Sequence, residues 1–238
     1  SSWTTDNADI RGGELVYARK IENERLDDTV LSDVSKQKYR YQRVAPFLDS
    51  LLKNDGSIKC VMHIGGRIDT VSAFFSKRYK DKIFVTVDMQ SNLKTFNDKL
   101  GVRKNWLKKN AYALNLLHER EFAPDLGLMI ATSLKFNNAE FHAYLRQFAS
   151  LKTKHLIFFE PWWPIPFLLR SIFTITPSTI SNDISPIGGQ PCDFHHNYGA
   201  ILNEYGYEIQ TASIDPAPMS NQHNDLFIHA TLSDLGDR

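Results

Sequence analysis

Two adjacent glycines and a downstream aspartate are the residues of this sequence best suited to bind a nucleoside. Gly65 and Gly66 stand in CVMHIGGRIDTVSAFF, between a strand-like and a helix-like segment, and Asp88 ends the next strand-like segment, 23 residues beyond Gly65. A glycine at a strand-to-helix turn lets the backbone approach a ligand, and the helix start offers free N–H groups. A carboxylate at about this spacing can accept both hydrogen bonds of a ribose diol. The structural alternatives are a tight corner at the glycines and a helix cap at Asp88.

A pair of histidines later in the chain is suited to proton transfer. His195 and His196 stand at the start of a predicted helix over 196–205. Histidine is the side chain best able to take a proton from a hydroxyl near neutral pH. A metal site is not predicted here, although Asp193 is close by, because adjacent histidines point in different directions and no second cluster has ligand spacing.

A long insertion, 161–196, separates these histidines from the fifth predicted strand, which we expect to end at Glu160. Insertions of this length in a compact domain are usually functional. Its apolar part predicts a lid over the substrate, a contact between two copies of the chain through 162–175, or a membrane-interface foot. A short helix packed on the core is the structural alternative.

The elements that would position these side chains follow from alternating strand and helix patterns. An apolar stripe at helical spacing in 44–52 is followed by a strand, a helix and a strand, and then by further alternation up to a fifth strand. Ser91 is expected to cap the helix that follows Asp88, and a short strand is expected at 105–107. Five alternating strands imply a mostly parallel sheet, and the last two strands, joined by a short loop, imply an antiparallel final pair.

The order of these elements resembles that of the class I S-adenosylmethionine-dependent methyltransferase family. The resemblance covers about 44–232 and rests on VMHIGGRIDT, VTVDM, KKNAYAL, DLGLMIATSL and LNEYGYEI, in that order. It implies a doubly wound α/β fold with a mostly parallel seven-stranded sheet, helices on both faces and a reversed last strand. It also implies S-adenosylmethionine as the cofactor. The residues implied to contact the cofactor are His63, Gly65, Gly66, Arg67, Asp88, Met89, Asn110, Ala111 and Ala131.

The first motif departs from the pattern that this family usually shows. The family motif begins with an acidic residue and carries three spaced glycines, whereas His63 replaces the acid, and Arg67 and Asp69 stand where the second and third glycines are expected. Arg67 could instead pair with the carboxylate of the cofactor. A nicotinamide-binding domain fits less well, because G-x-G-x-x-G is absent and a reversed last strand does not suit it.

The segment after the fourth strand limits the substrate class. Ala131 to Leu134 contain neither the Asn/Asp-Pro-Pro-aromatic motif of methyltransferases that act on amino groups of DNA bases nor an acidic residue for magnesium. A net charge of +1 also argues against a nucleic-acid partner. The resemblance then favours methyl transfer to a hydroxyl, less so an amine, of a small metabolite or sugar. The implied base is His195 or His196, and the implied substrate walls are Glu160, Trp162, Trp163 and Tyr198.

Length and composition set the remaining expectations. A chain of 238 residues with 42% hydrophobic content can bury one substantial core, so we expect one domain with a helical cap segment at 1–43. Two cysteines make no disulfide framework and suit a reducing cytoplasm, and we expect neither a targeting signal nor a transmembrane span. The alternative to an enzyme is a degenerate member of the fold that acts as a binding or assembly partner.

Overall fold

A computed structural model describes residues 42–162, 196–216 and 224–233 of the chain. The described residues form one seven-stranded sheet in the order β3-β2-β1-β4-β5-β7-β6. The strands are β1 (Cys60–Ile64), β2 (Ile83–Asp88), β3 (Trp106–Asn110), β4 (Leu126–Ile130), β5 (His155–Trp162), β6 (Tyr207–Pro216) and β7 (Asn224–Leu232). The helices are α1 (42–54), α2 (Thr70–Arg78), α3 (Leu93–Asp98), α4 (Ala113–His118), α5 (Asn138–Ser150) and α6 (Tyr198–Glu204).

The predicted fold class is confirmed. Strands β1 to β5 pair in parallel, and β7 runs antiparallel to both β5 and β6. Helices cover both faces, because each central strand is apolar on both sides. Val61 of β1 packs with α1 and α2, whereas its neighbour Met62 packs with α4, α5 and α6 on the other face. None of the helices in the described part of the chain combines the length and apolar character needed to cross a bilayer.

Three local predictions were wrong. The third strand, expected at 105–107, runs from Trp106 to Asn110, because all five of its residues pair with β2. The cap of α3 is Asn92 rather than Ser91, because the loop after β2 is one residue longer than the pattern suggested. The Asn92 side chain makes no capping hydrogen bond. Strand β5 does not end at Glu160 but continues to Trp162. The extension exists because Pro161 and Trp162 pair with the first residues of β7, a long-range contact that local patterns do not reveal.

Candidate functional site

The carboxyl ends of β1, β2, β4 and β5 meet at one edge of the sheet and carry most of the predicted site residues. The turn after β1 begins at Gly65, whose N–H donates to the carbonyl of Val87 in β2 (2.8 Å). Gly65 has a φ of +70°, in the left-handed region that favours glycine. This hydrogen bond ties the glycine turn to the end of β2, where Asp88 stands.

Gly65 also has a packing role that the sequence did not reveal. A Cβ atom at this position would lie 2.4 Å from Oγ1 and 2.5 Å from Cγ2 of Thr132, the second residue after β4. The close approach that glycine permits is therefore made here by a protein side chain. The predicted tight corner and the predicted cofactor turn are both compatible with this contact.

The contact predicts the effect of adding one methyl group at Gly65. Gly65→Ala is expected to lower the free energy of unfolding by about 2 kcal/mol, because it combines a left-handed φ with a clash against Thr132. The matched control is Gly56→Ala, since a Cβ there meets no atom within 4 Å. Urea unfolding of both variants measures the difference. Equal stabilities would mean that Thr132 does not restrict this turn.

Asp88 lies at the end of β2 with its side chain almost buried, at 8% exposure. Its Oδ2 accepts the backbone N–H of Arg67 (3.0 Å), and backbone N–H groups of Met89 and Gln90 also bind the carboxylate. Burial raises the pKa of Asp88, and these N–H groups oppose the rise. The carboxylate therefore holds the turns after β1 and β2 together.

The other predicted cofactor residues lie at the carboxyl ends of β2, β3 and β4. Asn110, the last residue of β3, is the register partner of Asp88, and the N–H of Ala111 donates to the Asp88 carbonyl (3.0 Å). Met89 is partly buried against the core. Ala131, the first residue after β4, has a φ of +50°, which is unusual for alanine.

His63 and Asp69 form a buried pair beneath the glycine turn. Nδ1 of His63 lies 2.9 Å from Oδ2 of Asp69, and the exposures of the two side chains are 2% and 0%. Burial alone would raise the pKa of Asp69, but His63, Ser72 and Thr86 outweigh it and the pKa is lowered. The sequence had marked Asp69 only as a departure from a glycine pattern. Its place as the N-cap of α2, where it accepts the N–H of Ser72, is the signal that was missed.

A second buried network joins the loop after β4 to the ends of β5 and α6. Oε1 of Glu160 accepts the N–H of Thr132 (3.3 Å), the N–H of Ser133 (2.9 Å) and the hydroxyl of Ser133 (2.7 Å). The Ser133 hydroxyl also lies 2.7 Å from the hydroxyl of Tyr198. Burial, and then the charge of Glu160, raise the pKa of Tyr198 well above its usual value.

His196 extends this network. Its Nε2 lies 2.8 Å from the carbonyl oxygen of Ser133, and because a carbonyl can only accept, Nε2 carries the proton. Phe141 covers the ring at a centroid distance of 4.2 Å, and His196 is 3% exposed. Two other predicted site residues, His195 and Trp163, lie outside the described residues. Trp162 lies within β5, is 2% exposed and has its ring centroid 6.4 Å from that of Tyr198.

Solved structures resemble this arrangement over most of the chain. Magnesium protoporphyrin IX methyltransferase from Synechocystis PCC 6803, with bound S-adenosylhomocysteine, matches with a TM-score of 0.58 at 15% identity, over 90% of this chain and 92% of that chain. Geranyl diphosphate C-methyltransferase from Streptomyces coelicolor A3(2) matches with a TM-score of 0.59 at 11% identity, over 81% and 79%. The chain has the class I S-adenosylmethionine-dependent methyltransferase fold. No protein-family model and no curated protein sequence matches it.

Within this methyltransferase fold, the chain keeps the strand-end carboxylate and changes the glycine motif. Gly65 and Asp88 stand at the turns after β1 and β2, as the resemblance predicts. The second and third glycine positions carry Arg67, which has a φ of +33°, and the fully buried Asp69. The methyltransferase fold is thus built here around a turn that side chains support.

Proposed function

We propose that the protein binds S-adenosylmethionine at the edge where β1 and β2 end and transfers its methyl group. The observation that carries the proposal is the position of Asp88, a nearly buried carboxylate at the end of β2, beside the turn that begins at Gly65. A carboxylate held in this way is a suitable acceptor for a ribose diol. The residues therefore fit the nucleoside part of the cofactor.

Other residues at this edge suit the rest of the cofactor. Met89 would contact the adenine ring, and the carbonyl oxygen of the Asn110 side chain would accept from its amino group. The backbone at Gly66 and Ala131 would line the remaining part, and Arg67 would pair with the cofactor carboxylate. When bound, S-adenosylmethionine supplies a methyl group on a sulfonium centre, and the protein orients the acceptor in line with it.

The acceptor is proposed to be a hydroxyl of a small metabolite or sugar. The two similar enzymes are named as methyltransferases of magnesium protoporphyrin IX and of geranyl diphosphate. These two substrates differ, so the similarity does not indicate one acceptor. A hydroxyl acceptor needs a base that takes its proton during methyl transfer. His195 remains the proposed base. His196, which donates from Nε2 to Ser133, is better placed to orient the loop after β4.

The test is a calorimetric titration of the protein with S-adenosylhomocysteine, with NADH as the comparison ligand. We expect S-adenosylhomocysteine to bind with a micromolar Kd and NADH not to bind. Binding of NADH alone would overturn the proposal and favour a dinucleotide-binding domain. Folded protein that binds neither ligand would also overturn it.

A non-enzymatic role is the second candidate, and one observation favours it. The space next to Gly65 is taken by Thr132, and the space next to Gly66 by Thr86, Asp69 and His63, with the nearest atom 2.7 Å from a Cβ built at Gly66. A turn packed in this way can be stable without any ligand. A protein of this kind would keep the methyltransferase fold as a binding or assembly partner and would bind no S-adenosylhomocysteine.

A further inference from the structure

Asn97 of α3 makes contacts that no local pattern explains. Its side chain is fully buried, and it reaches from α3 to the turn after β1. Nδ2 donates to the carbonyl of Arg67 (2.6 Å) and to that of Leu93 (2.9 Å), while Oδ1 accepts the N–H of Asp69 (2.8 Å). Leaving a buried donor or acceptor without a partner costs free energy. An amide whose donors and acceptor are engaged therefore holds the groups that it bonds in place.

The turn segment that Asn97 binds contains a residue in an unfavourable conformation. Arg67 has a φ of +33°, and a positive φ costs free energy in a residue with a Cβ, so contacts with its surroundings are needed to favour it. Three contacts do so in this structure. Asn97 binds the carbonyl of Arg67, Asp88 accepts its N–H (3.0 Å), and Asn97 also binds the N–H of Asp69, two residues later.

The far end of this segment is anchored by the buried carboxylate of Asp69. Its Oδ1 accepts the N–H of Ser72 (2.8 Å), and its Oδ2 accepts the hydroxyl of Thr86 (2.6 Å). Trp106 Nε1 donates in turn to the Thr86 hydroxyl (2.8 Å). Asp69 therefore bonds the turn to α2 and β2, and Asn97 bonds it to α3 at both Arg67 and Asp69.

We propose that Asn97 is a positioning residue for the cofactor turn. It holds Arg67 in the left-handed conformation that glycine would adopt without support, and it thereby aims the Arg67 N–H at Asp88. Helix α3 directly follows the loop after Asp88, so Asn97 also connects that loop to the turn after β1. These two segments would enclose the nucleoside. The ligand part of this inference rests on the proposed function, whereas the conformational part does not.

The first test is a double-mutant cycle of Asn97 and Arg67 in which the Kd of S-adenosylhomocysteine is measured. Asn97→Ala is expected to weaken binding at least 10-fold in the Arg67 protein but less than 3-fold in an Arg67→Gly background, because glycine needs no support at positive φ. The cycle removes any contribution of the guanidinium itself. Equal losses in the two backgrounds would overturn the proposal, since a purely structural role would not depend on the residue at position 67.

The matched control is Asn105→Ala. Nδ2 of Asn105 lies 3.0 Å from three backbone carbonyl oxygens, those of Ser76, Tyr79 and Lys82, away from the cofactor edge, and its two hydrogens are shared among them. Its loss should lower stability without changing the Kd of S-adenosylhomocysteine by more than 2-fold. If Asn97→Ala does not fold, Asn97→Asp serves instead, because it keeps the acceptor for Asp69 and removes the donor to Arg67.

The second test needs no ligand and separates this inference from the proposed function. Amide hydrogen exchange at 67–69 is expected to be at least 10-fold faster in the Asn97 variant than in wild type, and unchanged in Asn105→Ala. Faster exchange together with no binding of S-adenosylhomocysteine by wild type would leave the support of the turn established and reject the proposed cofactor. Unchanged exchange at 67–69 would overturn the role of Asn97 whether or not the ligand binds.

Discussion

Replacing Asp88 with asparagine is expected to weaken S-adenosylhomocysteine binding about 100-fold, with little change in fold. The substitution keeps the size of the side chain and one oxygen as acceptor for the backbone N–H groups of Arg67, Met89 and Gln90, but it removes the charge. Hydrogen bonds to a charged group contribute about 1.5–3 kcal/mol, and about 1.4 kcal/mol corresponds to one factor of ten in Kd. Loss of the charge opposite two ribose hydroxyls therefore corresponds to roughly two factors of ten. Calorimetric titration of the variant measures this directly.

The control for Asp88→Asn is Asp81→Asn, just before the start of the same strand. The Asp81 side chain is 65% exposed and lies 3.9 Å from Nζ of Lys59, a contact that contributes little to stability. The Asp81→Asn variant should bind S-adenosylhomocysteine with the same Kd as the wild type. A Kd for Asp88→Asn within 3-fold of wild type would remove Asp88 from the ribose site. Asp88→Ala tests the same point without any acceptor, whereas a non-enzymatic protein would show no S-adenosylhomocysteine binding with or without these substitutions.

Acid is expected to destabilise the protein between about pH 6.5 and 4 through a buried histidine pair far from the cofactor edge. His155 Nε2 lies 2.9 Å from Oδ2 of Asp55, and His155 Nδ1 lies 3.1 Å from His229 Nε2. The carboxylate accepts from Nε2 of His155, so in the neutral pair His229 donates to Nδ1 of His155. Lys154 also bonds to Asp55 (2.8 Å), and the ring of Phe47 packs on His229.

The sign of the effect follows from the pKa of His229. Burial, and then the neighbouring His155, lower this pKa from 6.5 to about 4, and burial lowers that of His155 as well. The unfolded chain therefore takes up a proton near pH 6.5 that the folded protein does not bind until about pH 4. The stability that His229 contributes is fully present above pH 6.5 and is lost as the pH falls towards 4. The loss is up to about 3 kcal/mol for this one residue.

Urea unfolding at several pH values between 7.5 and 4.5 measures this effect. His229→Gln should flatten the pH dependence, because glutamine can still donate to His155 but does not titrate in this range. The control is His118→Gln, since His118 is exposed at the end of α4. A wild-type stability that does not change between pH 7 and 5, or a His229→Gln variant with an unchanged slope, would contradict the prediction.

Much of the fold could be predicted because local patterns coincide with buried faces. The apolar stripe of α5, which includes Phe141, Tyr144 and Phe148, is fully buried as its spacing indicates. The end of β2 at Asp88 and the antiparallel final pair were also predicted, because strand length and loop length are local properties. The extension of β5 to Trp162 was not, because it depends on pairing with a strand more than 60 residues away in the chain.

In the candidate site, too, some features could be predicted from local patterns and others depend on tertiary packing. The sequence by itself predicted that Gly65 and Arg67 follow the first strand and that Asp88 ends the second, and their residue types indicated the chemistry that they suit. Only the tertiary structure decided what surrounds them: Thr132 packs against Gly65, and Asn97 supports Arg67 from another helix. The physical reason is that the ends of β1 and β2 follow from local periodicity, whereas these contacts depend on how β4 and α3 pack beside the turn after β1. The residue types indicate which chemistry is possible, and the packing of the folded chain decides which of these groups are held in position for it.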